Sequence, residues 1–366
     1  MADKKPTLET LRQQIDAVDE QLHELLNRRA SLAQQVAEVK QRETGDDASI
    51  SFYRPEREAQ VLRKVKQRNS GPLADDAVAH IFREIMSACL ALEKPLSVAY
   101  LGPEGTFTHA AAIKHFGHAV QASPVNTIDQ VFAEVETGEA VYGVVPVENS
   151  TEGMVNHTLD NFMQSPLMIC GEVELPIHLH LLVNKQADVS KIKKICAHQQ
   201  ALAQSRAWLD SRWPGVEREA VSSNAKAARI AAGDDSVAAI AGDMAVELYD
   251  LVKVSENIQD LSQNTTRFLI IGRESIAPSG DDKTSLIIST HNKPGALYRL
   301  LEPFHRESIM LTRIDTRPSR TENWAYVFFI EFEGHQQDDK IKKILVELKE
   351  QSLMLKSLGS YPKAVI

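Results

Sequence analysis

Apolar residues recur at alternating spacings of three and four along the first 40 residues, the pattern of one long amphipathic helix. The stripe comprises Leu8, Leu11, Ile15, Val18, Leu22, Leu25, Leu32, Val36 and Val39. Arg29 occupies the position that joins its two halves. Because an isolated charge in an apolar interface costs several kcal/mol, this arginine requires a buried anionic partner or an anionic ligand. The alternative interpretation is a polar residue that fixes the register of a coiled coil.

Two further cations on the same helix restrict these choices. Lys40 follows Arg29 by about three helical turns, so both side chains point the same way. Arg12 precedes Arg29 by a distance of roughly 25 Å at about 1.5 Å per residue, so one small ligand cannot contact both arginines from one helix. If Arg12 also serves an anion site, an antiparallel two-fold pair of helices would bring it to the partner's Arg29. We therefore expect a homodimer.

Length and composition narrow the class of protein. A chain of 366 residues can hold two or three domains, and a net charge of −9 without a basic tract argues against nucleic acid as a partner. Cys89, Cys170 and Cys196 are far apart and show no metal-ligand or redox spacing, so we expect reduced core residues. No signal segment is recognisable, and no apolar run approaches the roughly 18 residues of a membrane span. These features indicate a cytoplasmic enzyme or binding protein without a membrane partner.

The hydrophobic pattern divides the chain into three segments and predicts a multidomain fold. Residues 1–95 form an all-α domain of three helices, the first from Thr7 to about Arg42 and the second starting at Pro55. Residues 96–276 alternate short apolar strands with helices, which predicts an α/β domain. Its last strand, FLIIG, comes late enough for the chain to visit a second lobe and return. Residues 277–366 have the α+β order βαββαβ, typical of a regulator-binding unit or of a passive dimerisation domain.

Charged residues of the helical segment face its apolar core and suggest a site for a dianion. Glu58 shares a stripe with the apolar residues of the second helix, close to Arg57, and Glu93 lies one turn after Cys89 on the third. The strings LRQQIDAVDEQLHELLNRRASLAQQVAEVK, YRPERE and IMSACLALE resemble the all-helical chorismate mutase family across residues 5–95.

This resemblance implies a role for each charged residue. Arg29 and the partner's Arg12 would clamp the carboxylates of chorismate, and Lys40 and Glu93 would contact its ether oxygen. Arg57 and Glu58 would complete the pocket, with Glu58 at the ring hydroxyl. A pericyclic rearrangement needs a held conformer and charge stabilisation at the ether oxygen, without a nucleophile, metal or cofactor. To donate a hydrogen bond, Glu93 must be protonated, which requires a raised pKa.

Three strings of the middle segment place polar residues where α/β domains keep ligand contacts. YLGPEGTFTHAAA is a strand, a glycine turn and a helix start, a geometry for an anion or an ordinary βα turn. VVPVENSTEG places Glu148, Asn149 and Ser150 after a strand, where such residues are also common as caps. SQNTTRFLIIG places Thr266 and Arg267 before another strand, so they could face the same cleft.

These strings resemble the prephenate dehydratase family, in the family's order, from about Ser97 to Arg273. The implied reaction expels carbon dioxide and the ring hydroxyl from prephenate, giving phenylpyruvate. The leaving oxygen then needs a hydrogen-bond or proton donor. The resemblance makes Thr266 the leading catalytic residue and Arg267 a substrate-binding or cleft-organising cation. The remaining candidate prephenate-binding residues are Asn149, Ser150 and Gln204, with Glu148 nearby.

The last segment resembles the ACT family of small-molecule-binding domains over about Thr284 to Tyr361. Its strings NKPGALY and IDTRPS correspond, with changes at Tyr298, Asp315 and Thr316, to motifs of dehydratases that sense phenylalanine. The resemblance implies feedback inhibition by L-phenylalanine. The regulatory candidates are Gly295, Ala296, Leu297 and Arg317.

The sequence as a whole predicts a bifunctional enzyme of phenylalanine biosynthesis that converts chorismate to prephenate and then to phenylpyruvate. We expect neither a metal nor a cofactor, because His178 and His180 lack a third suitably spaced ligand and no nucleotide-binding glycine motif is present. The rival is a binding protein that senses an aromatic acid without turning it over. A narrower rival retains only one activity.

Overall fold

The computed structural model of the protein describes residues 7–44, 53–290, 293–318 and 326–366. None of the helices within these ranges is long and apolar enough to cross a membrane. The first unit consists of three helices, as predicted: α1 Leu8–Thr44, α2 Pro55–Arg68 and α3 Asp75–Glu93.

The packing of these helices follows from their apolar stripes. Helix α2 begins at Pro55, whose missing N–H costs nothing in a first turn, and it buries Leu62 and Val65. Helix α3 packs against both α1 and α2. By contrast, the stripe of α1 stays open to solvent in the single chain, with Leu22 51% and Leu25 60% exposed.

The second unit has two lobes, and its first lobe contains β1 to β5 and α4 to α6. Their bounds are β1 Ser97–Leu101, α4 Phe107–Phe116, β2 Gln121–Val125, α5 Ile128–Thr137, β3 Tyr142–Asn149, β4 Gly153–Met154, α6 Asn156–Gln164 and β5 Met168–Pro176. The second lobe contains β6 His180–Asn184, β7 Lys194–His198, α7 Gln199–Gln204, α8 Arg206–Arg212, β8 Glu217–Val221, α9 Asn224–Gly233, β9 Val237–Ala241, α10 Asp243–Leu248 and β10 Leu251–Ser255.

Strand β11, Thr265–Gly272, then returns to the first lobe, which confirms the predicted path of the chain. It lies antiparallel between β3 and β5 in a sheet of order β2-β1-β3-β11-β5, with β4 paired to β3. The second lobe has the order β10-β6-β9-β7-β8. This return places the start of β11, next to Asn264, beside the end of β3, where the cleft residues lie.

The third unit confirms the predicted βαββαβ order. Its elements are β12 Asp282–Ser289, α11 Ala296–Arg306, β13 Leu311–Pro318, β14 Tyr326–Glu333, α12 Asp339–Gln351 and β15 Met354–Pro362. The hydrophobic pattern of the sequence predicts that the third strand starts at Trp324, a residue that lies outside the described ranges. The sheet has the order β13-β14-β12-β15, with both helices on one face. The other face packs on the first lobe, where Phe329 and Leu358 join one apolar core with Leu269.

The helical unit is also fastened to the rest of the chain. Tyr53 is 5% exposed and enters an apolar core of the first lobe with Phe116 and Tyr142. On α2, Arg63 donates to the Ser279 hydroxyl oxygen at 3.0 Å, and Lys66 donates to the carbonyl of Val365 at 3.0 Å.

Candidate active sites

Helices α1, α2 and α3 line an open pocket of about 460 Å³, within the size range of small-molecule sites. Five of the six residues predicted to bind chorismate line it, namely Arg29, Lys40, Arg57, Glu58 and Glu93. Arg12 is not among the lining residues of the single chain, and it lies on α1 far from Arg29. The pocket therefore collects three predicted cations and two predicted carboxyl groups from three helices.

The carboxyl group of Glu93 has the electrostatic environment that its predicted role requires. Burial raises the pKa of Glu93, and the nearby charges of Lys40 and Arg29 oppose the shift without cancelling it. Its Oε2 atom is buried and has no hydrogen-bond partner among the residues that the structure describes. A protonated Glu93 could thus offer an O–H to a ligand in this pocket.

Glu58 forms a buried ion pair that the sequence argument missed. Its Oε1 lies 3.0 Å from Arg83 Nε, with the two side chains 13% and 8% exposed. Burial raises the pKa of Glu58, and Arg83 opposes this shift. Arg83 lies four residues after buried Ala79 on the packed stripe of α3. Its neighbours one turn away on this face, Ala79 and Ser87, are small, so no apolar stripe in the sequence marks Arg83 as buried.

Tyr53 links this pocket to the first lobe of the middle unit. It lines the pocket, and its hydroxyl lies 3.1 Å from His115 Nε2 on α4. Burial lowers the pKa of His115 well below its usual range, which keeps the ring neutral, and the charge of Arg83 adds to this effect. The wall of the helical pocket is therefore partly supported by the next domain.

A second cluster bridges the two lobes of the middle unit through side-chain hydrogen bonds. Asn149 Nδ2 donates to Thr266 Oγ1 at 2.8 Å and to Asn264 Oδ1 at 2.9 Å. Asn264 Nδ2 donates to Gln204 Oε1 at 3.1 Å, and Gln204 Nε2 donates to Thr151 Oγ1 at 3.2 Å. Gln204 belongs to α7 of the second lobe, so this chain of amides and hydroxyls spans the cleft.

The structure thus brings three predicted prephenate residues together, and it adds two that were not singled out. Asn264 lies two residues before Thr266 and on the same side of that segment, a signal available from strand alternation. Thr151 donates from its hydroxyl to Asn149 Oδ1 and has no comparable signal. Ser150 fixes the loop beside them, since its hydroxyl oxygen accepts from the Thr265 N–H at 2.9 Å.

Glu148 and Arg267 are not brought together with this cluster. Arg267 is 6% exposed, and its Nε donates to Glu172 Oε2 at 2.8 Å, while Nη2 bonds Glu331 on β14. Glu148 accepts a hydrogen bond from Arg313 on β13. Both side chains therefore lie on the face of the sheet that the C-terminal unit covers.

The predicted regulatory residues lie on two elements of the C-terminal unit. Gly295 precedes α11 with a φ of 76°, a conformation that favours glycine, and Ala296 and Leu297 form the first turn. Arg317 lies near the end of β13 and donates to Asp160 on α6 at 2.9 Å. The described part of the chain contains no group of His, Cys, Asp and Glu side chains that could hold a metal ion.

Comparison with known proteins gives the same three units in the same order. A model of the type II chorismate mutases matches residues 11–94, one of the prephenate dehydratases matches residues 98–276, and one of the ACT domains matches residues 284–350. A bifunctional chorismate mutase/prephenate dehydratase from Pseudomonas aeruginosa is 58% identical over 366 residues, covering 100% of both chains. The chain belongs to the bifunctional chorismate mutase/prephenate dehydratase family.

More distant relatives agree with this assignment. A protein of the same description from Aquifex aeolicus is 46% identical and covers 98% of this chain and 99% of its own. Among solved structures, a prephenate dehydratase from Arthrobacter aurescens in complex with L-Phe has a TM-score of 0.67 and 33% identity, covering 73% of this chain and 90% of that chain. The chain thus combines a mutase domain, a two-lobed dehydratase domain and an ACT domain.

Proposed function

We propose that this chain converts chorismate to prephenate in the helical pocket and prephenate to phenylpyruvate in the cleft of the dehydratase domain. The observation that carries the proposal is the presence of two separate polar sites in one chain. One is the pocket with Arg29, Lys40 and Glu93, and the other is the cluster around Thr266. The proposed domain boundaries remain 1–95, 96–276 and 277–366.

In the mutase pocket, the proposed catalysis is conformational and electrostatic. Arg29 and its neighbouring cations hold the carboxylates so that chorismate adopts the compact conformer in which the rearrangement occurs. Lys40 and protonated Glu93 donate hydrogen bonds to the ether oxygen, where negative charge develops as its bond breaks. Glu58 and Arg57 contact the rest of the substrate.

In the dehydratase cleft, Thr266 is the proposed donor to the leaving hydroxyl group. Its Oγ1 already accepts a hydrogen bond from Asn149, so the hydroxyl proton points away from that amide and can be donated to the leaving oxygen. Loss of carbon dioxide and of this oxygen then gives the aromatic ring. Asn149, Ser150 and Gln204 are the proposed binding residues, and the hydrogen bonds of Gln204 with Asn264 and Thr151 join the second lobe to the first.

We further propose a homodimer in which each α1 covers the exposed stripe of its partner. Ile15, Val18, Leu22 and Leu25 are all at least half exposed in the single chain, which is unfavourable without a partner surface. An antiparallel pair would bring Arg12 of each chain to the other pocket. Mixing Arg12→Ala and Arg29→Ala chains should then restore about a quarter of the mutase activity, because half of the dimers are mixed and each has one intact site.

Feedback inhibition by L-phenylalanine is proposed at the ACT domain, through Gly295, Ala296, Leu297 and Arg317. The Arthrobacter relative was solved in complex with L-Phe, which supports this ligand. The proposed compartment is the cytoplasm, since Cys89, Cys170 and Cys196 are buried and form no disulfide bond, as in a reducing environment.

A time course with chorismate as the only substrate tests the two activities. The proposal predicts transient prephenate followed by phenylpyruvate, with the second step slowed by added L-phenylalanine. If prephenate accumulates without further reaction, the chain has only the mutase activity. Binding of an aromatic acid without turnover would favour the rival interpretation, a sensor protein.

A further inference from the structure

Two adjacent residue pairs on the catalytic strands point to opposite faces of the dehydratase sheet. Strands β3 and β11 place Thr266 opposite Asn149 and Arg267 opposite Glu148. Because successive side chains of a strand alternate between faces, the first pair contributes to the cleft and the second does not. Thr266 and Arg267 are consecutive in the sequence, and so are Asn149 and Glu148.

The second pair meets a complementary pair on the ACT sheet. Strands β13 and β14 place Arg313 opposite Glu331. Arg313 bonds Glu148, and Glu331 bonds Arg267, so two acids and two arginines form a junction between the sheets. We call these four residues the charge junction.

In the charge junction, the guanidinium group of Arg267 donates hydrogen bonds to other side chains of the protein. Its Nε donates to Glu172 at 2.8 Å, and its Nη2 donates to the hydroxyl of Tyr361 at 3.2 Å as well as to Glu331. Burial alone would raise the pKa of Glu331, but Arg267 and Lys283 outweigh it and lower the pKa to about 2, so this carboxylate is ionised. An arginine held in this way is positioned to transmit a displacement of β14 to β11.

Strand β13 is attached to the dehydratase domain at a second point. Arg317 follows Arg313 by four residues on the same face of β13 and donates to Asp160 on α6 at 2.9 Å. The strand that carries the predicted regulatory arginine is therefore bonded directly to the domain that performs dehydration. A ligand that reorients this strand would have to change these contacts.

We propose that Arg267 and Glu148 are positioning residues for Thr266 and Asn149, and that the charge junction couples the ACT domain to the dehydratase site. The inference rests on the proposed dehydratase activity and feedback inhibition. It gives Arg267 and Glu148, two candidate residues of the sequence analysis, a role other than contact with prephenate.

Arg313 offers the most direct test, because it belongs to the ACT domain and its side chain is 21% exposed. Replacing Arg267 instead would leave buried Glu172 and Glu331 with Lys283 as their one remaining cationic partner among the described residues and could unfold the junction. We expect Arg313→Gln to lower the dehydratase kcat and to weaken inhibition by L-phenylalanine by roughly fivefold or more each. The KM for prephenate should stay within about twofold, since no binding group is removed. Arg313→Lys should recover part of both effects.

Arg306→Gln provides a matched control. Arg306 is another ion-paired arginine of the ACT domain, but its partners, Glu302 and Glu347, belong to the same domain. This variant should keep both wild-type kcat and wild-type inhibition. Mutase turnover measured on the same samples should be unchanged in all three variants and reports on folding. Wild-type kcat and inhibition in Arg313→Gln would overturn the proposal.

A double-mutant cycle with Glu148→Gln separates positioning from direct substrate contact. If Glu148 acts through Arg313, the kcat of the double variant should be no lower than that of the worse single variant. Multiplied losses, or a Glu148→Gln variant that raises only the KM for prephenate, would mean that Glu148 acts on the substrate and would overturn the proposal. A wild-type chain that dehydrates prephenate but ignores phenylalanine would refute the proposed feedback instead, and the kcat cycle would still test the positioning role.

Discussion

Arg83 neutralises a carboxylate inside the mutase domain, and its removal should have a cost that depends on pH. In Arg83→Met the side-chain volume is roughly kept, but Glu58 loses its partner at 3.0 Å. Unpaired and nearly buried, Glu58 escapes the penalty by taking up a proton. The free-energy cost of the substitution is then bounded by the work of protonating Glu58 in the folded state.

That bound follows from the ordinary pKa of Glu58, 4.5. Each pH unit above this value adds about 1.4 kcal/mol, so the electrostatic loss is at most about 3.4 kcal/mol at pH 7 and about 1.4 kcal/mol at pH 5.5. The loss is smaller by whatever penalty Glu58 already carries in the wild-type protein, where burial raises its pKa despite Arg83. The sign is definite, because a raised folded pKa means that stability is lost as the pH rises.

Hydrogen exchange of the amides in α2 and α3, read by mass spectrometry at both pH values, measures this stability within the mutase domain. Arg83→Met should lower protection strongly at neutral pH and weakly at acidic pH. The double variant Glu58→Gln/Arg83→Met should show no such pH dependence. Arg68→Met, an exposed substitution on α2, serves as the control and should change stability by less than about 0.5 kcal/mol. A loss in Arg83→Met that stays constant or grows on acidification would refute the argument.

Three further predictions concern other parts of the molecule. Because burial raises the pKa of Glu93, mutase activity should fall as the pH rises through that raised value, and Glu93→Gln should flatten the profile; an unchanged pH–rate curve would contradict its role. Leu22→Glu should put a charge into the exposed stripe of α1, so sedimentation should show monomers that lack mutase activity but still dehydrate prephenate. Arg267 and Lys283 lower the pKa of Glu331 to about 2, so the stability that ionised Glu331 contributes is full above about pH 4.5 and is lost as the pH falls towards 2. Amide hydrogen exchange in β14, corrected for intrinsic rates, should therefore be faster at about pH 3 than at about pH 5.

The elements that hydrophobic periodicity defines could be predicted from the sequence. The long first helix, the return of FLIIG to the first lobe and the βαββαβ order were all correct, because each depends on local patterns of apolar and polar residues. The grouping of Arg29, Lys40 and Glu93 in one pocket followed from helix geometry and family resemblance together.

Contacts between distant segments were beyond this reasoning. The ion pair of Glu58 joins two helices whose relative rotation no local pattern specifies. Strand alternation predicts that Thr266 and Arg267 point to opposite faces, but it does not say which face forms the cleft. The apolar face of the ACT sheet covers the side on which Arg267 lies, so the cleft forms on the opposite side. The predicted cleft role of Arg267 therefore depended on packing that only the structure supplies.

The most direct test of two separate sites in one chain is a pair of variants assayed with both substrates. Thr266→Ala should turn chorismate into prephenate that accumulates, while Arg29→Ala should leave chorismate unchanged but still convert prephenate to phenylpyruvate. A mixture of the two proteins should restore the full conversion of chorismate to phenylpyruvate. Loss of both activities in either variant, or phenylpyruvate formation by Thr266→Ala at the wild-type rate, would contradict the account.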